Sequence, residues 1–259
     1  MALSNEQRNE ISDLLKQKIR QKLAKYNPET NNMPFHVRLL GKERMAIFSF
    51  VQSLNTTLGT SVFEQTAAII ARPHFKQSIH QYKEFNNTIS KGAQDVIQEI
   101  VDDLKAGKRK PNLDTETSAV LAASQRGKTI KVKRPRIDLF IQAKDDTEYY
   151  FDLKTAKPNI DEIIGFKRKL LEWVAIRGIL DPQVKVRTAL AIPYNPYEPE
   201  PYARWTFAGM FDTTEELFVA EEFWNLLGGE KTYQNVLEVF EKVGIELRPE
   251  IDKRFNQFK

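Results

Sequence analysis

Residues 133–159 read KRPRIDLFIQAKDDTEYYFDLKTAKPN. Two runs in this stretch alternate with a period of two, the signature of a β-strand. In the first, Ile137, Leu139 and Ile141 alternate with Asp138, Phe140 and Gln142; in the second, Tyr149, Phe151 and Leu153 alternate with Tyr150, Asp152 and Lys154. Between them Lys144-Asp145-Asp146-Thr147 is rich in side chains that bond their own backbone, so a hairpin is expected. Folding about Asp145-Asp146 sets Asp138 against residues 152–154. Asp152 and Lys154, two apart, share a face. A slip of one residue would send the acids to opposite faces, and the pattern leaves the register open. If they share a face, two carboxylates and an ammonium converge, and a divalent cation is the obvious occupant. Mg²⁺ is usually held by only one or two carboxylates together with water and phosphate.

Working outward, the stretch that leads up to the hairpin is strongly basic. Between Lys105 and Arg136 there are ten Lys or Arg against two acids, Asp114 and Glu116, although the whole chain carries only +4. Clustered positive charge of this kind suits a phosphate backbone. Cysteine is absent, which excludes disulfides, zinc-thiolate sites and thiol nucleophiles. The three histidines, His36, His74 and His80, lack the spacing of a metal pair, and there is no glycine-rich phosphate loop. With 41% apolar and 29% charged residues the chain is of globular composition, and no apolar run approaches the length of a membrane span. A soluble, cytoplasmic protein without a membrane partner is expected.

Upstream, Ser4 and Gln7 form a capping-box pattern at the start of a helix over Ser4–Tyr26, and Asn27-Pro28 through Met33-Pro34 read as a loop. Helices are expected over Phe35–Leu54 and Thr56–Ala71, the latter stopped by Pro73. Glu64 lies in the second of these among small residues, which would let it approach another element closely; the bland alternative is an exposed acid. Further helices are expected over Thr88–Lys105 and from Asp114, as N-cap, to Gln125, followed by a strand at Thr129–Lys133. After Pro158-Asn159 a helix over Ile160–Ile179 and a strand over Val184–Pro193 imply a crossover and a parallel pairing. The Pro- and Tyr-rich stretch 194–202 reads as a rigid loop, and the tail as helices over Thr214–Leu227, Thr232–Val243 and from Pro249. The expected class is α/β (α+β mixed), a central mixed sheet with flanking helices in one domain over 1–259. Residues 1–55 would form an N-terminal helical part, 56–210 the catalytic core and 211–259 C-terminal helices.

The resulting set, Glu64, Asp138 and Asp152-x-Lys154, suits phosphodiester hydrolysis, in which carboxylate-held metal neutralises phosphoryl oxygens and activates water. Asp138 and Asp152 would ligate the metal with the main-chain carbonyl of Leu153, Glu64 would be an outer or second ligand, and Lys154 would orient the water or touch the phosphate. At these residues the sequence resembles the PD-(D/E)XK nuclease superfamily, with Pro135 standing three residues before the first acid. PRIDLF, YFDLKTAKPN, GFKRKLLEW, IPYNPYEPEPY and FWNLLGGEKTY together resemble the TdeIII type of type II restriction endonucleases. That resemblance implies Mg²⁺-dependent cleavage of double-stranded DNA at a short palindromic site, GGNCC, leaving 5′-phosphate ends. It also implies a homodimer and a cognate DNA methyltransferase. Arg126, Lys128, Lys133, Arg134, Arg136, Lys167, Arg168 and Arg204 are the candidate DNA contacts. A repair or junction-resolving nuclease of the same superfamily, or a non-catalytic DNA-binding protein, are the alternatives.

Overall fold

A computed structural model of the chain describes residues 3–27, 33–83, 86–154 and 160–256. The helices and strands, in chain order, are α1 (Asn5–Lys25), α2 (Pro34–Leu40), α3 (Lys42–Thr57), α4 (Phe63–Ala71), β1 (Gln77–Tyr82), β2 (Thr88–Ser90), α5 (Lys91–Lys105), α6 (Leu113–Ala123) and β3 (Thr129–Lys131). There follow β4 (Ile137–Gln142), β5 (Glu148–Leu153), α7 (Ile163–Leu180), β6 (Val186–Ile192), β7 (Leu217–Val219), α8 (Glu221–Gly228) and α9 (Thr232–Phe255).

The central sheet has five strands in the order β1-β4-β5-β6-β7. β4 runs antiparallel to both β1 and β5, whereas β6 and β7 continue in parallel from β5. The mixed α/β class therefore holds. The hairpin is formed as its alternation implies, with Leu139 opposite Phe151 and Ile141 opposite Tyr149. Continuing that register brings Asp138 opposite Asp152, so both acids share a face. Helices cover both faces, which is why even the polar-looking positions of these strands are buried. On one face Trp173 of α7 meets the ring of Tyr150 edge-on at 6.5 Å; on the other, Phe223 of α8 meets Phe151 at 5.7 Å. The β5-α7-β6 crossover supplies the parallel pair, aligning Asp152 with Leu190 and Leu153 with Ala191.

Several elements depart from the sequence expectation. β1 carries no apolar alternation that would announce a strand: QSIHQY is polar and half exposed, and it forms an edge strand only because β4 offers it a ladder. The expected strand at Thr129–Lys133 is not in the central sheet: residues 129–131 pair with β2, which takes the first turn of the helix expected from Thr88. α6 is capped by Asn112, whose side chain accepts from the Thr115 amide, rather than by Asp114. The stretch expected as helix from Thr214 contains β7, so the C-terminal part contributes a strand to the sheet. α9 runs unbroken through Gly244 and Pro249. It lies along α1, with Arg8–Glu238, Lys16–Glu246 and Arg20–Glu250 ion pairs as rungs, and this packing outweighs the two helix breakers. The Ser4–Gln7 capping box forms as read. Thr155, Pro158-Asn159 and the loop around Pro28 lie outside the described residues. Among the described residues no helix is long and apolar enough to cross a membrane.

Candidate active site

The carboxyl ends of parallel strands and a change of strand direction make a natural crevice in an α/β sheet. Here that place is the end of β5, beside Pro193 after β6, and a cleft of about 260 Å³ opens there. Glu64, Arg136, Asp138, Asp152, Leu153, Lys154 and Lys169 line it, with Asn55, Thr56 and Gly59 from the helical side. The four expected catalytic residues are thus brought together from α4, β4 and β5, which are distant in sequence.

Glu64 reaches the cleft because the α3–α4 helix changes pitch just before it. Residues 58–62 form a π-turn, LGTSV, and α4 resumes at Phe63. Such turns insert one extra residue and are frequent at functional sites. Glu64 is 1% exposed, against the bland expectation of a solvated acid. Burial raises its pKa, opposed by a hydrogen bond from Gln81 and by Arg136. Gln81, which the extended β1–β4 register sets opposite Asp138, has a left-handed backbone (φ 50°), a strained conformation for a non-glycine residue.

Asp138 is almost wholly buried, and its Oδ2 accepts from the Leu153 amide at 2.8 Å. Burial first, then the facing Asp152 carboxylate and Glu64, push its pKa up to about 7. Burial alone would raise Asp152 as well, but the ammonium groups of Lys169 and Lys154 outweigh it and hold that carboxyl below its usual range. Both lysines lie 2.8 Å from the same oxygen, Oδ1. Two facing aspartates are therefore split into one that retains a proton readily and one that stays ionised. Arg136 bridges Glu64 and Asp138, 3.3 Å from each.

Among the described residues no three Asp, Glu or His side chains are gathered as a ready-made metal cluster. The donors nevertheless fit a hard cation. Asp152 Oδ2 and Glu64 Oε2 are buried oxygens without a hydrogen-bond partner, and Asp138 faces Asp152 across the hairpin. A buried, unpartnered carboxylate oxygen is costly unless something is to occupy it.

The expected DNA contacts divide. Arg126, Lys128, Lys133, Arg134 and Arg136 are exposed. Arg168 bonds Gln98 on α5. Lys167 is a correction: it is 0% exposed, with its ammonium held by Glu116 and Glu216, so it cannot meet DNA in this fold. Arg204 is likewise committed internally, donating to the Thr213 and Leu217 carbonyls and pairing with Glu222. Sequence reasoning missed Lys169, which adjoins the two basic residues it did select. A helical wheel separates these three by about 100° each, but nothing in the sequence says which of the three spokes faces the hairpin.

The model for the family described as "Type II restriction endonuclease, HinfI" matches residues 3–244. Among curated proteins, the type II restriction enzyme MjaII of Methanocaldococcus jannaschii is 30% identical over 252 residues, covering 87% of this chain and 65% of that protein's length. The type II restriction enzymes HgiEI and HgiCII of Herpetosiphon aurantiacus are 25% and 26% identical, each alignment covering at least 98% of both chains. The general expectation of a type II restriction endonuclease agrees with these likenesses, while the TdeIII type rests on the sequence resemblance alone.

Proposed function

Because the chain belongs to the HinfI family of type II restriction endonucleases, we propose that the Asp138–Asp152–Lys154 cleft hydrolyses double-stranded DNA at a short palindromic site. The observation that carries this is the facing pair of aspartates with unpartnered oxygen beside two ammonium groups, in a cleft rimmed by Arg136. The same arrangement supports a PD-(D/E)XK-type centre.

In this reading Asp138, Asp152 and the main-chain carbonyl of Leu153 would hold Mg²⁺, with Glu64 as an outer ligand. Bound there, Mg²⁺ supplies positive charge to the phosphoryl oxygens and makes a water more acidic. The exposed guanidinium of Arg136, 3.3 Å from both Glu64 and Asp138, would exchange these carboxylates for a backbone phosphate and so free their oxygens as ligands. Lys154, whose backbone is tied to Ala191 on β6, keeps a fixed origin and orients the attacking water. Water oxygen bonds to phosphorus, the bond to the 3′-oxygen breaks, and the products are a 5′-phosphate and a 3′-hydroxyl. Arg126, Lys128, Lys133 and Arg134 supply phosphate contacts that position the duplex.

A palindrome is matched by a two-fold homodimer. A methyltransferase modifying the same site would be the partner in the cell. GGNCC as the site comes from the sequence resemblance alone.

Digestion of unmethylated plasmid with Mg²⁺, followed by sequencing of the fragment ends, tests the function. Discrete fragments with a common end sequence and 5′-phosphates are expected. Preference for branched DNA would favour a junction-resolving enzyme, and no cleavage of any duplex would reject the nuclease reading.

A further inference from the structure

The KRK run of α7 sends its three cations in three directions. Lys167 is buried between Glu116 and Glu216, Arg168 reaches Gln98, and Lys169 enters the cleft. Lys169 Nζ lies 2.8 Å from Asp152 Oδ1 and 5.0 Å from the centre of the Trp173 ring, one helical turn on. Lys154 reaches the same oxygen at 2.8 Å and is backed by Phe166 at 4.9 Å. Each ammonium is thus held at the cleft by an aromatic face instead of swinging into solvent.

Neutralising one carboxylate needs one lysine. Two ammonium groups on a single buried oxygen repel each other, and the arrangement makes sense when a further anion is to arrive. Either lysine can then leave Asp152 without stranding that carboxylate. Lys154 follows β5 by one residue and its backbone is tied to β6, whereas Lys169 comes from a helix on the sheet's face. Charge counting agrees. When ionised, Glu64, Asp138 and Asp152 balance Arg136, Lys154 and Lys169, so the site is neutral before a divalent cation enters. With that cation the excess of two positive charges matches the dianion formed when hydroxide adds to a phosphodiester.

Resting on the nuclease reading above, we propose that Lys169 is a second catalytic lysine, whose ammonium leaves Asp152 to contact the phosphate being cut while Lys154 stays with the carboxylate. The competing role is purely structural, with Lys169 serving only as a counterion to Asp152.

The test uses wild type, Lys169→Met, Lys169→Gln and Lys169→Arg on a duplex that wild type cleaves. Single-turnover cleavage with Mg²⁺ and metal-free duplex affinity against salt are measured. Methionine and glutamine are expected to slow single-turnover cleavage at least ~100-fold and to lower the log–log salt slope by about 0.9, the share of one phosphate contact. Arginine, which keeps the charge, recovers the slope and most of the rate. Glutamine can still donate to Asp152, so a structural role predicts that it behaves as wild type. An unchanged salt slope in the methionine and glutamine variants overturns the proposal, whatever their rates, as does arginine behaving like methionine. A cleaving wild type with unaffected Lys169 variants rejects this inference alone; a wild type that cuts no duplex rejects the nuclease reading instead.

Discussion

Replacing Lys167 by methionine would keep most of the apolar length of a fully buried side chain and delete the ammonium, which lies 5.4 Å from the centre of the Phe211 ring. It would remove the only cation within ion-pair distance of Glu116 and Glu216 among the described residues. Both carboxyls are buried, and among the described residues the Glu216 carboxylate accepts from the Asp212 amide besides Lys167. Breaking a buried pair by removing one partner costs about 3–5 kcal/mol. With two acids stranded the upper part of that range is expected. At roughly 2–4 °C per kcal/mol for a chain of this size, the melting midpoint falls by about 8–20 °C. The pH dependence gives a second handle. Burial already raises the Glu216 pKa, against the opposing pull of Lys167, and loss of the lysine raises it further. A carboxyl whose folded pKa exceeds its unfolded one contributes most below the unfolded value and loses that contribution as pH rises through the folded one. The deficit of Lys167→Met is therefore smaller near pH 5 than near pH 8. Differential scanning fluorimetry across that range measures both. A midpoint within about 2 °C of wild type near pH 8, or a deficit that grows toward low pH, would refute the buried triad.

Gly178→Ala would place a methyl 2.7 Å from Ser124 Cβ and 2.9 Å from Leu121 Cδ2, where α6 meets α7; urea denaturation should show a loss of about 1–3 kcal/mol. Arg204→Ala frees the Thr213 and Leu217 carbonyls and should cost about 2 kcal/mol by the same assay, while leaving the salt slope of duplex affinity unchanged. A reduced slope would return Arg204 to the DNA interface.

The parts of the fold legible in the sequence are those where one physical signal acts alone. The β4–β5 alternation announced a hairpin, but its register was left open and only the strand pairing sets Asp138 to face Asp152. The crossover to β6 followed from spacing, and Glu64 was singled out because small neighbours permit close approach. Where tertiary context decides, the reading failed. β1 has no apolar alternation and is a strand because β4 pairs with it. β7 is three residues long and follows Glu-Glu, so local propensity favoured helix. In α7 both sheet-facing and α5/α6-facing sides are buried, leaving no polar stripe to orient the wheel. This is why Lys167 was placed on DNA and Lys169 was overlooked. Charge in a sequence does not distinguish a lysine that faces a phosphate from one sealed between two glutamates.

The central claim is that the carboxylates of this hairpin cut DNA. Asp152→Asn tests it most directly, because the substitution keeps shape and burial while removing the charge on which Lys154 and Lys169 converge. Loss of even a residue behind a metal ligand costs roughly 10–100-fold, so single-turnover cleavage of plasmid by Asp152→Asn should fall by more than ~100-fold with the folded state intact by circular dichroism. Cleavage of the same plasmid at the wild-type rate would contradict the account.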